Sequence, residues 1–263
     1  MKLVHNCIKV NIYGNKENPA LVFLHGFPFD SSMWNNQIEE FMSDYFVVTY
    51  DVRGLGDSYV GDGQYTMEAY VNDLCAVIDE LGIEKPIICG LSMGGYIALR
   101  AVEREKDRFK ALILCDTKTE ADDDTAKLSR ADAINLINVE GLASYANKFI
   151  PKCFCEKSIK EMPEVLEDLI NKASRQNKVG VKAAVLAMLS RTDTTKALKK
   201  IDMPTLIICG AQDEISPSEK MEELSEKITN AVFKKIPKAG HLPAIENPEA
   251  FNKAIKAFLK KVK

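Results

Sequence analysis

Ser92 lies in Gly90-Leu91-Ser92-Met93-Gly94, a G-x-S-x-G pentapeptide followed at once by Gly95. The apolar run Pro86-Ile87-Ile88-Cys89 before it reads as a buried strand, and Tyr96-Ile97-Ala98-Leu99-Arg100-Ala101 after it reads as a helix. Strand, tight turn and helix are the context in which this pentapeptide presents a nucleophile. Such a turn stands the hydroxyl clear of the backbone, holds the serine in a strained conformation and leaves room only for small neighbours. The helix start then aims free N–H groups at any oxyanion formed there.

A serine nucleophile needs a base, and the base needs an orienting group. The chain has three histidines. His5 stands beside the first strand and reads as a surface or edge residue. His25 ends a strand in Phe23-Leu24-His25-Gly26-Phe27-Pro28. His241 lies in Ala239-Gly240-His241-Leu242-Pro243, between the last strand and the last helix, where a loop can carry imidazole over Ser92. His241 is therefore the candidate base. Two carboxylates satisfy the requirement for an acid after a strand. Asp213 follows Leu206-Ile207-Ile208-Cys209 by way of a Gly210 turn, and Asp116 directly ends Leu112-Ile113-Leu114-Cys115. Asp213 is preferred, because the Gly-x-x-Asp spacing carries the acid out on a loop toward His241. Asp116 is the alternative acid, or else a turn cap. A tetrahedral oxyanion needs two donors. The Met93 N–H follows the nucleophile, and the Phe27 N–H lies in an earlier post-strand loop whose shape Pro28 fixes. His25 then anchors that loop, or faces the substrate with Pro28, Phe29 and Trp34.

These groups must be positioned by a regular alternation of elements. Strands are expected at Ile8 to Tyr13, Ala20 to Leu24, Phe46 to Tyr50, Pro86 to Cys89, Ala111 to Cys115, Thr205 to Cys209 and Val232 to Ile236. Helices are expected between them at Trp34 to Ser43, Met67 to Leu81, Gly94 to Arg104, Pro217 to Ile228 and Pro248 to Val262. Ser216, Pro217 and Glu219 form a capping-box pattern, and Asn247 with Pro248 opens the last helix. The alternation predicts a mostly parallel sheet with helices on both faces. It breaks after Cys115. Only helical patterns follow, at Ala121 to Val139, Gly141 to Ile150, Ser158 to Arg175 and Val179 to Ser190, until the strand rhythm resumes at Thr205. Residues 118–200 therefore read as a helical cap inserted into a core of 1–117 and 201–263, lying over the sheet edge where such folds bind ligands. Leu136, Ile137, Leu142, Leu186 and Met188 suggest an apolar pocket beneath it, with Leu136 and Leu186 as lining candidates.

Composition narrows the class. The chain has 263 residues with a net charge of −3, which leaves no basic stripe for nucleic acid. No apolar run is long enough to span a bilayer, and the N-terminus lacks a signal-peptide core. The seven cysteines are odd in number and fall mostly in strand-like runs, which suits reduced thiols and a cytoplasmic location. Cys153-Phe154-Cys155 has no further ligand nearby, and Asp122-Asp123-Asp124 reads as a helix cap, so no metal site is expected.

Five motifs occur in order: His25-Gly26-Phe27-Pro28, Asp51-Val52-Arg53-Gly54-Leu55-Gly56-Asp57-Ser58, Gly90-Leu91-Ser92-Met93-Gly94-Gly95, Gly210-Ala211-Gln212-Asp213 and Gly240-His241. On them the chain resembles the α/β-hydrolase superfamily. Within it, the chain is similar to small bacterial carboxylesterases, 3-oxoadipate enol-lactonases and cofactor-free haloperoxidases, or perhydrolases. It does not resemble epoxide hydrolases or haloalkane dehalogenases at the nucleophile, where those have aspartate. The resemblance implies a Ser92-Asp213-His241 triad that hydrolyses a small carboxylic ester or lactone through an acyl-enzyme, with no cofactor. Enol-lactone opening and perhydrolysis are alternatives on the same triad. A ligand-binding protein that keeps the fold is the alternative of another class.

Overall fold

The sheet is built from apolar runs buried on both faces. The computed structural model describes residues 2–4 and 7–262; His5 lies outside the described residues. The strands are β1 (Lys2–Val4), β2 (Ile8–Tyr13), β3 (Ala20–Leu24), β4 (Phe46–Tyr50), β5 (Ile87–Leu91), β6 (Ala111–Cys115), β7 (Thr205–Gly210) and β8 (Ala231–Ile236). They form one sheet in the order β1-β2-β4-β3-β5-β6-β7-β8. β1 and β2 pair antiparallel and β2 meets β4 antiparallel; every later pairing is parallel. β1 is a strand that the sequence pattern did not reveal, being only three residues long.

The helices of the core are α1 (Asn35–Phe41), α2 (Met67–Leu81) and α3 (Met93–Glu105). Between β6 and β7 stand α4 (Asp124–Val139), α5 (Leu142–Phe149), α6 (Glu156–Glu161), α7 (Pro163–Ser174) and α8 (Lys178–Leu189). After β7 come α9 (Ser218–Glu226), α10 (Pro243–Glu246) and α11 (Pro248–Leu259). Alternating residues of the central strands feed two cores, one per face: in β3, Val22 and Leu24 enter one cluster, Leu21 and Phe23 the other. This two-sided burial is why β4, β5, β6 and β7 are buried throughout. Among the described residues no helix is long and apolar enough to cross a membrane.

Two expectations need correction. The helical pattern from Ser158 to Arg175 is split into α6 and α7, because Pro163 has no N–H and forces Met162 out of the helical region, to φ −130° and ψ 46°. The capping box at Ser216 is not made. The Ser216 hydroxyl donates instead to the Asp116 carbonyl at 3.2 Å, and α9 begins at Ser218 with no side-chain cap. Elsewhere the caps follow the sequence. Asn247 accepts from Ala250 N at 3.2 Å, and Asp123 accepts from Ala126 N at 2.8 Å to start α4.

α3 crosses β3 at a distance that only glycine allows. A Cβ on Gly94 would fall 2.2 Å from the Leu24 carbonyl oxygen, a group β3 cannot withdraw without breaking its ladder. Gly94→Ala is expected to lower unfolding stability by about 1–3 kcal/mol in urea titration, the range for overpacked cores. An unchanged midpoint would show that α3 can lift off β3 freely.

Candidate active site

Parallel strands place their following loops on one edge, so the neighbours β5, β6, β7 and β8 deliver Ser92, Asp116, Asp213 and His241 side by side. Ser92 joins β5 to α3 with φ 52° and ψ −111°, a left-handed backbone rare for a residue with a Cβ. Its turn is pinned from β6. Ser92 N donates to Cys115 O at 2.9 Å, and the Thr117 hydroxyl donates to Ser92 O at 2.8 Å. Thr117 was not singled out in the sequence, since one threonine after a strand carries no signal.

The Phe27 loop lies against the same turn. A Cβ on Gly26 would come 3.6 Å from Ser92 Cβ, so the loop's backbone borders the hydroxyl. Among the described residues the Phe27 N–H has no hydrogen-bond partner, and the Met93 N–H opens α3 ahead of its first intrahelical bond. The Phe27–Pro28 peptide is cis. His25 sets the loop: its Nε2 accepts from Val52 N at 2.8 Å, which leaves Nδ1 as the donor to Gly26 O at 2.9 Å. Burial holds its pKa below the ordinary value, keeping this neutral tautomer. His25 is thus a loop anchor and not a pocket residue.

His241 Nδ1 meets Asp213 Oδ2 at 2.8 Å, with both side chains buried. Asp213 Oδ1 accepts from Ile215 N at 2.8 Å and Ser216 N at 3.0 Å. Burial works against the Asp213 charge, but the His241 ring and these N–H bonds outweigh it and hold the carboxyl below its usual range. Asp116 is also brought in. One ligand atom each from Asp116, Asp213 and His241 lies within 4.8 Å of the others. Asp116 Oδ1 accepts from Gly210 N at 2.8 Å, while Oδ2 is buried with no hydrogen-bond partner among the described residues. Burial, and then the neighbouring Asp213 charge, push the Asp116 carboxyl well above its ordinary pKa. Of two adjacent buried carboxyls, one ionises and the other keeps its proton. In this group His241 and Asp213 are bound to each other, and Asp213 Oδ1 and Asp116 Oδ1 serve backbone N–H groups.

Glu246 is a site residue that the sequence reading missed. Its Oε1 accepts from Gly240 N at 2.8 Å and Leu242 N at 3.2 Å, on either side of His241. Its Oε2 accepts from Cys155 N at 2.9 Å, and His241 N donates to Cys153 O at 2.8 Å. One buried carboxylate thus ties the histidine loop to the segment between α5 and α6. The only signal for it was an acid in a short turn before the helix of Pro248.

The lining candidates divide. Trp34 is fully buried against Phe23 and Phe251, and Phe29 belongs to the same apolar core. Leu186 is 47% exposed, turned outward on α8. Trp34 and Leu186 therefore do not line a pocket. Pro28 is buried beside Phe27, whose ring packs on Tyr145 and Phe149 of α5 with centroids 6.2 and 6.1 Å away. Leu136 does line a cavity, of about 590 Å³, together with Tyr145, Phe149 and Lys118. A larger cavity of about 880 Å³ lies at Pro19, Phe46, Ile87 and Lys110, at the opposite ends of the strands, and so has no access to this chemistry. The acidic run is structural. Asp122 takes Arg191 at 2.6 Å and Arg130 at 3.1 Å, Asp123 caps α4 and Asp124 meets Lys127.

Comparison with known proteins agrees with this architecture. The alpha/beta hydrolase fold family matches residues 19–248, and the chain belongs to that family. It is 30% identical over 249 residues to 3-oxoadipate enol-lactonase 2 of Acinetobacter baylyi, covering 95% of this chain and 91% of the relative. A thermophilic esterase from Thermogutta terrifontis, solved with malate bound, superposes with a TM-score of 0.93 at 38% identity, over 97% of this chain and 93% of the other. The enol-lactonase from Burkholderia xenovorans gives a TM-score of 0.91 at 27% identity, over 98% and 99%.

The raised Asp116 pKa has a signed consequence for stability. Once pH exceeds the unfolded-state value, the unfolded chain releases the Asp116 proton and the folded one does not, so stability falls with rising pH until the folded group also ionises. Asp116→Asn lacks this loss. The melting temperature of Asp116→Asn minus that of the parent is expected to grow from mildly acid to neutral pH. A difference that stays flat, or runs the other way, would show Asp116 to be ionised in the folded protein.

Proposed function

We propose that the protein is a serine hydrolase of small carboxylic esters or lactones, working through an acyl-enzyme. The observation that carries the catalytic assignment is the buried Asp213–His241 pair at 2.8 Å, delivered to the same sheet edge as the left-handed Ser92 turn. Asp213 accepts the Nδ1 proton, which leaves His241 Nε2 as the basic nitrogen. Nε2 takes the Ser92 proton as the oxygen attacks the carbonyl carbon. The Phe27 and Met93 N–H groups receive the oxyanion, and they are free to do so. Nε2 then hands its proton to the leaving alcohol. Water repeats the sequence on the acyl-Ser92 ester and releases the acid. No step calls on a metal or cofactor.

The protein is a carboxylic ester hydrolase in this reading, and opening of an enol-lactone is its second form, favoured by the Acinetobacter baylyi relative. Perhydrolysis uses the same groups with peroxide in place of water. The partner is a small ester or lactone, neither nucleic acid nor a membrane, and the location is the cytoplasm, which suits seven free cysteines.

Turnover of a p-nitrophenyl ester separates an enzyme from a binding protein of the same fold, which would stop at one equivalent. On that ester Ser92→Ala is expected to lower kcat by about 10⁴–10⁶ and Asp213→Asn by about 10⁴, while Asp116→Asn stays within about tenfold of the parent. If Asp116→Asn is crippled and Asp213→Asn is nearly normal, the acid has been assigned to the wrong strand.

A further inference from the structure

The cavity under the cap is not the apolar one that the cap's leucines suggested. Its apolar wall is Leu136, Tyr145 and Phe149, but Lys118, Arg130 and Lys152 also line it. The acids nearby do not balance these charges. Asp122 is fully buried and already shared between Arg130 and Arg191, so that cluster keeps one positive charge in excess. Among the described residues Lys118 and Lys152 make no ion pair, while Asp132 is exposed on α4. Lys118 is half-buried; desolvation and the adjacent Arg191 hold its pKa below the ordinary value, against the opposing pull of Asp122 and Glu120.

Three segments that line the cavity are tied to the segments that carry the proposed site. Lys118 follows Thr117, which holds the Ser92 carbonyl at 2.8 Å. Tyr145 and Phe149 pack on Phe27. Lys152 precedes Cys153, whose carbonyl holds His241 N at 2.8 Å. The volume of about 590 Å³ is that of a small-molecule site.

We propose that this cavity is a subsite for a free carboxylate on the acyl part of the substrate, with Lys118 as its ion-pair partner and Arg130 and Lys152 supplying the surrounding positive field. The proposal rests on the hydrolase reading above and adds to it the charge of the substrate. A carboxylate there meets a partly desolvated ammonium, where an ion pair is stronger than at an open surface. The apolar wall accommodates the methylenes between carboxylate and ester.

The test compares mono-p-nitrophenyl glutarate, which carries the carboxylate, with the neutral p-nitrophenyl butyrate. The parent is expected to show the lower KM for the glutarate ester. Lys118→Met raises that KM by about tenfold or more, leaves kcat within about threefold and leaves both constants for the butyrate ester nearly unchanged. Lys118→Arg keeps the preference. The proposal is overturned if the parent binds the glutarate ester no better than the butyrate ester, or if Lys118→Met weakens both alike. Failure to turn over either ester would instead strike at the hydrolase reading itself, so the two failures are distinct.

Discussion

A serine side chain can stand clear of a sheet edge only if its backbone leaves the strand abruptly, and here that is achieved by φ 52° at Ser92. The remainder of the site accommodates this constraint. The following helix must start at once, which drives Gly94 against Leu24 of β3 and admits no side chain there. The strained residue is held from the neighbouring strand by Cys115 O and the Thr117 hydroxyl. The loop that supplies the second free N–H is pressed to the same turn through Gly26 and locked by the buried, neutral His25. Strain of this kind costs about 1–3 kcal/mol and persists only where several contacts over-determine it. The same abrupt start points the helix N-terminus at the space beside the hydroxyl, so the feature that costs stability also creates the electrostatic environment.

Charge at this edge is handled by giving each buried carboxyl a different set of donors. Asp213 has His241 and two backbone N–H groups and stays ionised. Asp116 has one backbone N–H and a carboxylate beside it, and its carboxyl is pushed well above the ordinary pKa. Glu246 has three backbone N–H donors and, among the described residues, no side-chain partner. Its work is positional: two of those donors flank His241, and the third belongs to the stretch after α5. Each buried N–H left without an acceptor costs about 1–3 kcal/mol, so the histidine loop and this stretch are coupled through one side chain. The proposed base is therefore held from the stretch between α5 and α6 as well as from its own loop.

Much of this was legible in the sequence. The sheet strands announce themselves because burial on both faces leaves unbroken apolar runs, and β2, β3, β4 and β6 have the expected bounds. Ser92, Asp213 and His241 could be singled out as candidates because each follows a strand, and glycines mark the turns. What could not be read is what depends on side-chain direction. Trp34 and Leu186 were candidates for one pocket, yet one is sealed in the core and the other faces solvent. Ser216 and Glu219 have the spacing of a capping box, but the hydroxyl serves the Asp116 carbonyl across a hundred residues of chain. Glu246 and Thr117 act through backbone atoms of distant segments, and such contacts leave no local pattern. The sign of the cavity's charge was hidden for the same reason, since Lys118, Arg130 and Lys152 are far apart in sequence and line one cavity only in the folded chain.

The central claim is that Ser92 forms the covalent intermediate. The most direct measurement is to treat the protein with a p-nitrophenyl alkylphosphonate, which mimics the tetrahedral state, and to follow released p-nitrophenolate together with the intact mass. The account predicts one equivalent released, one phosphonyl group added, and that group mapped by peptide sequencing to Ser92, with parallel loss of ester turnover. Labelling of a different residue, or full ester turnover by protein whose Ser92 carries the adduct, would contradict it.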